Sequence, residues 1–245
     1  MKYAGIDGCK HGWFYVWLDD IGSHESGILK TIDPLAALLD SSDAIVLIDM
    51  PIGLTQTGPH ERQCDRAARK LLKKKASSIF PAPCRQSLDV EDYRAASELN
   101  HAVTGRRLSR QSYFIMPKIR ELDCFMRGAG RRLDIREFHP ELGFLALNRF
   151  VPLMFSKKTV SGQKERLEIL SEYVPSSAAI LARANKRFLR NQAGEDDILD
   201  ALCGAVTAMF KDQLVSLPAA PENDPLGLPM QIVYADPEKF VSSST

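Results

Sequence analysis

Lys2-Tyr3-Ala4-Gly5-Ile6-Asp7-Gly8-Cys9-Lys10-His11-Gly12-Trp13-Phe14-Tyr15-Val16-Trp17-Leu18 is the stretch whose reading decides the fold. Lys2 to Ile6 is short and apolar and ends at Asp7-Gly8. Trp13 to Leu18 is aromatic and β-branched, and the turn-like Gly8 to Gly12 lies between, so the stretch predicts a β-hairpin. Gly27 to Ile32 supplies a third strand. Asp33-Pro34 then opens a short helix through Leu39, with Asp33 as N-cap and Pro34 at the first helical position. Asp43 to Ile48 is a continuous apolar run with β-branched residues, as a buried parallel strand requires, and it ends at Asp49-Met50-Pro51. Three antiparallel strands, a helix and a buried strand are the opening of a mixed sheet. Asp7 and Asp49 both fall at strand carboxyl ends, where open α/β sheets build their sites.

Outward from this core the pattern turns helical. From His60 to Lys75 the basic residues Arg62, Arg66, Arg69, Lys70 and Lys73 recur at three and four, on one side of a helix. Ser77 to Pro83 reads as loop, and Val90 to Thr104 and Tyr113 to Met126 as further helices, so about 54–130 is a helical, basic insertion between two strands. Leu133 to Phe138 returns to a strand, and His139-Pro140-Glu141 precedes the apolar Leu142 to Leu147. Helices follow at Gln163 to Tyr173, Ser176 to Leu189 and Glu195 to about Phe210, with one last strand at Gln231 to Tyr234. The expectation is a single α/β domain over 1–245: a five-stranded mixed sheet flanked by helices and carrying the insertion.

The 245 residues, 44% hydrophobic and 26% charged, suffice for a sizeable core. No apolar run approaches the ~20 residues of a membrane span, and Met1 to Gly8 lacks the pattern of a signal peptide, so a cytoplasmic location without membrane partners is expected. Five scattered cysteines without a CxxC pair argue against both a disulfide framework and a zinc site. The net charge of +1 conceals an asymmetry. Residues 60–136 carry 18 Lys/Arg against 9 Asp/Glu, and the remainder 14 against 22. A basic surface on an acidic body suits a protein that grips a polyanion, although a solvated helical face would also produce it.

Carboxylates in apolar settings are the chemical signal: Asp7 and Asp49 after strands, Glu137 on another, and Asp196, Asp197 and Asp200 leading an apolar helix. A buried carboxylate is usually paired, hydrogen-bonded or metal-bound. Asp200 shares a helix face with Asp196 or Asp197, and like charges there call for a cation. Mg²⁺ and Mn²⁺ prefer such oxygens, and two ions roughly 4 Å apart can activate a water and stabilise a leaving oxygen in phosphodiester hydrolysis. Turn chemistry would also account for Asp7 and Asp49 singly, and helix capping for Asp196 and Asp197. It explains Asp200 poorly.

Gly5 to Trp13, Ile48-Asp49-Met50-Pro51-Ile52-Gly53-Leu54, Ser77 to Pro83, Glu137-Phe138-His139-Pro140-Glu141 and Asp197-Ile198-Leu199-Asp200-Ala201-Leu202 together resemble a family of predicted ribonuclease-H-like nucleases, domain of unknown function 429. The resemblance covers roughly residues 1–210. It implies a ribonuclease-H-like sheet, and the first strand and last helix are also similar to those of Holliday-junction resolvases. On that basis Asp7, Asp197 and Asp200 take the metal-ligand role, with Asp49 and Glu137 both open as the middle acid.

The reading that follows is a nuclease using Mg²⁺ or Mn²⁺, with Asp7, Asp49, Glu137, Asp197 and Asp200 as catalytic candidates and DNA or RNA as partner. Lys10, Ser78, Arg85, Arg110, Gln111, Lys118, His139 and Glu141 are candidates for substrate contact. An ATP-binding phosphotransferase would share the fold, but the chain has no P-loop or GxGxxG. A non-catalytic nucleic-acid-binding protein would use the basic insertion alone. Monomer or homodimer is left open.

Overall fold

The computed structural model describes residues 1–39, 43–58 and 61–236. Its centre is a five-stranded mixed sheet in the order β3-β2-β1-β4-β5, built from β1 (Lys2–Cys9), β2 (Gly12–Asp19), β3 (His24–Leu29), β4 (Ala44–Ile48) and β5 (Asp134–Glu137). The first three strands form an antiparallel meander, and β4 and β5 run parallel to β1. This is the mixed α/β sheet that the opening hairpin and the apolar run before Asp49 predict.

Period-two alternation divides the strands between two cores. Phe14, Val16, Ile45 and Leu47 face one layer, made by α6 (Val160–Tyr173), α7 (Ser177–Arg187) and α8 (Glu195–Ala208). Trp13, Tyr15, Val46 and Ile48 face the other, where α1 (Leu35–Leu38), α3 (Tyr93–Thr104) and α4 (Arg110–Arg127) pack. The helices between β4 and β5, with α2 (Gln63–Leu72) first, occupy the place expected for the basic insertion.

One close approach positions the site. The helix α8 is buried along nearly all its length and lies on β1 through small residues. A Cβ built at Gly5 would stand 1.9 Å from the carbonyl of Ala201 and 2.3 Å from the amide of Ala205. Only glycine permits this contact, and it brings the first turns of α8 to the carboxyl end of β1.

The structure moves several expected boundaries. The N-cap of α1 is Pro34, without a side-chain cap, because the helix is a single turn closed by bonds to the carbonyls of Asp33 and Pro34. The basic helix runs from Gln63 only to Leu72, since Lys73 takes a positive φ of 50° and a 3₁₀ segment, Lys73–Ser78, follows. His60 lies outside the described residues. The apolar Leu142 to Leu147 is a helix, α5 (Pro140–Leu147). The single C-terminal strand becomes a hairpin, β6 (Leu214–Asn223) with β7 (Pro229–Ala235), joined to the end of β5 by a bridge between Phe138 and Val233. Pro218 and Pro221 hide β6 from a sequence reading, because proline is excluded from central strands but tolerated at edges.

Candidate functional site

Four aspartates come together at one end of the sheet. Asp7 is on β1, Asp49 follows β4, which pairs with β1, and α8 brings Asp197 and Asp200 across both. Asp7, Asp49 and Asp197 line a cleft of about 610 Å³, within the usual range of ligand pockets. Asp200, only 2% exposed, is not among the residues that line it.

The acids are under-compensated. Among the described residues the Asp7 and Asp49 carboxylates accept no hydrogen bond. Asp200 accepts one through Oδ2 from Lys157 Nζ at 2.6 Å, and its Oδ1 has no partner. Burial, then the charges of Asp49, Asp200 and Asp197, push Asp7 well above the usual carboxylate range. Burial and Asp200 lift Asp49 to about 8. Burial also lifts Asp200 to about 6, although Lys157 pulls it down. Asp197 is raised by burial too, while the Gly194 amide, bonded to its Oδ2 at 2.8 Å, acts the other way. The capping role foreseen for Asp197 is thus present and occupies one of its oxygens. Among the described residues no three His, Cys, Asp or Glu side chains form a ready-made metal-binding group. The acids stand as an open set facing the cleft.

Glu137 reaches the same cleft but is committed elsewhere. Arg62 donates to both its oxygens at 2.8 Å, and the Ile52 amide adds a bond at 2.7 Å. The same guanidinium also holds Asp65, at 3.2 and 2.5 Å. Burial lifts Glu137 to about 7, opposed by Arg62.

The cleft wall takes in five of the eight substrate-contact candidates: Ser78, Gln111, Lys118, His139 and Glu141. Lys118 donates to the Gly12 carbonyl at 2.5 Å and lies over the Trp13 ring. Burial alone would raise Glu141, but Lys75 at 2.6 Å and Arg166 at 2.5 Å hold its carboxyl below the usual range. Burial pushes His139 down to about 4. Its Nε2 faces the Ser78 carbonyl at 3.3 Å, which can only accept, so the proton sits on Nε2 and Nδ1 is an unpartnered acceptor.

Three candidates are placed differently. Arg85 is withdrawn from substrate, because Asp123 and Asp224 claim its guanidinium in a buried clamp. Arg110 stacks over the Tyr93 ring at 4.2 Å, and Lys10 is exposed beyond the cleft wall. The residue most clearly missed from sequence is Lys157. It sits in a loop before α6 where no periodicity marks it, and only the fold carries it to Asp200.

A family model described as "Protein of unknown function (DUF429)" matches residues 5–223, and the chain belongs to that family. No curated protein and no solved structure matches it. No helix among the described residues is long and apolar enough to cross a membrane.

Proposed function

We propose that this chain is a divalent-metal-dependent nuclease with a ribonuclease-H-like fold. The observation that carries the reading is the convergence of Asp7, Asp49 and Asp200, from two adjacent parallel strands and a buried helix, with Lys157 the one cation bonded to them among the described residues. The strand order 3-2-1-4-5, with β2 antiparallel to β1, supports the ribonuclease-H-like part.

The donor chemistry suits Mg²⁺ or Mn²⁺, being all carboxylate oxygen, most of it without a hydrogen bond among the described residues and with Asp200 Oδ1 buried and unpartnered, although no three of the acids form a ready-made group. Asp7, Asp49 and Asp200 would hold the ion, with Asp197 at the edge through its second oxygen. Such an ion supplies charge that activates water and stabilises a leaving phosphodiester oxygen.

The chain's own residues do the rest. Lys74 and Lys118, which both line the cleft with Asp7, would give a strand's phosphates two cationic contacts. Lys157 holds Asp200 in place and balances part of its charge. The neutral His139, its proton fixed on Nε2, presents Nδ1 as a hydrogen-bond acceptor that stays unprotonated at neutral pH.

Purified protein with Mn²⁺ is expected to cleave nucleic acid, and Asp7→Asn to lose that cleavage with its fold intact by circular dichroism. Equal cleavage by the variant would sink the assignment. A second reading, binding of nucleic acid without chemistry, is favoured by the Lys157–Asp200 pair, which already supplies the acids with a cation. It predicts strand binding that neither Mn²⁺ nor Asp7→Asn alters.

A further inference from the structure

Phe114 is 70% exposed although it lies on a cleft wall. Most large apolar side chains of α4 point into the core, as Met116, Ile119 and Leu122 do. Phe114 instead lines the cleft together with Gln111 and Lys118, which lie three residues before and four after it on the helix. The four residues from Phe114 to Lys118 advance about 6 Å along the helix, and Lys118 packs against Gly8, next to Asp7. Lys74, exposed and without an ion pair among the described residues, lines the same cleft. An exposed aromatic face thus shares the cleft with two lysines and lies one helix turn from Lys118, which packs against the residue after Asp7.

We infer that Phe114 is a stacking platform for an unpaired nucleobase, so that the substrate is single-stranded or locally unpaired nucleic acid. The inference rests on the nuclease reading for the cleft's purpose and adds the class of strand it accepts. Charge complementarity identifies the occupant: an apolar partner would leave Lys74 and Lys118 without counter-ions, whereas a nucleotide offers a π-face to Phe114 and a phosphate to the lysines. A base inside a duplex is covered on both faces by its neighbours and offers Phe114 nothing unless it is flipped out. Gln111, one turn before Phe114, has amide donors and acceptors for the edge of the stacked base.

The test uses a 5′-fluorescein single-stranded oligodeoxynucleotide of mixed sequence, and the same strand annealed to its complement, titrated with the full chain in EDTA and followed by anisotropy. Phe114→Ala is expected to weaken single-strand binding by about tenfold and leave duplex binding unchanged. Phe114→Trp should retain the affinity, and strand addition should quench its added indole emission. Equal binding of the single strand by wild type and Phe114→Ala, equal losses on both probes, or no binding of either probe by wild type would each overturn the inference. The nuclease reading fails on a different axis. Mn²⁺-dependent cleavage with binding indifferent to Phe114 removes only the platform, whereas Phe114-dependent binding without cleavage by wild type removes only the chemistry.

Discussion

Two groups of buried acids flank the carboxyl end of β4, and the surrounding chain treats them in opposite ways. On the β5 side, Glu137 and Asp65 share the Arg62 guanidinium, and backbone amides of Ile52 and Ala82 occupy further lone pairs. Arg85 makes a comparable clamp with Asp123 and Asp224. On the β1 side, among the described residues, Asp7 and Asp49 accept nothing, and Asp200 has a single ammonium for one oxygen and nothing for the other. The cost of burying charge is the same on both sides, so the difference lies in where the compensating cation comes from. The Arg62 network leaves no carboxylate oxygen of Glu137 or Asp65 without a partner and holds the fold together. A set of acids left open toward a cleft is stable only with protons or with an added cation, and that makes it the candidate for chemistry.

The comparison breaks most visibly at Arg62. Arg62→Met strands two buried carboxylates and should cost about 3–5 kcal/mol, read from chemical denaturation. A loss no larger than that of a surface substitution would mean that the two groups are not different in kind. Gly5→Ala strikes the other side by pushing α8 off β1. Overpacking predicts a cost of about 1–3 kcal/mol together with weaker Mn²⁺ binding, because the helix that carries Asp200 must shift; unchanged Mn²⁺ affinity in a destabilised variant would detach the helix position from the site.

Asp49→Asn should act with the opposite sign, stabilising the metal-free protein at pH 8 by on the order of 1 kcal/mol, since it removes one of the mutually repelling carboxylates. The sign follows from linkage. With Asp49 lifted to about 8 and Asp200 to about 6, the folded state holds more protons than the unfolded chain above the ordinary Asp value near pH ~4. These groups therefore take stability away as the pH rises through that window, up to about 8. Melting temperature against pH in EDTA should fall across this range for the wild type, less for Asp49→Asn, and least for the wild type saturated with Mn²⁺. A wild-type profile that rises over the same window would contradict the raised carboxyls.

What the sequence discloses follows from the range of the forces involved. The hairpin, the buried β4 and the apolar α8 are legible because side-chain periodicity is local, and Asp7, Asp49, Asp197 and Asp200 stand out as acids within apolar runs. The partners of those acids are not local. Arg62 lies 75 residues from Glu137, and Lys157 43 residues from Asp200. The sequence therefore marks Arg85 and Glu137 as site candidates without showing that Asp123 and Asp224 hold the one and Arg62 the other. Phe114 reads as one more apolar position of a helix, and only its exposure on the cleft wall distinguishes it. Pro218 and Pro221 conceal a strand whose prolines lie in an edge hairpin.

The open character of the Asp7, Asp49 and Asp200 set is tested most directly by calorimetric titration of the metal-free protein with Mn²⁺ at neutral pH, in buffers of different ionisation enthalpy. The account predicts binding tighter than millimolar by the wild type. It also predicts proton release on binding, because carboxyls that burial holds protonated must give up their protons to take the ion, and loss of both signals in Asp7→Asn. No Mn²⁺ binding by the wild type, or binding that Asp7→Asn leaves intact, would contradict it.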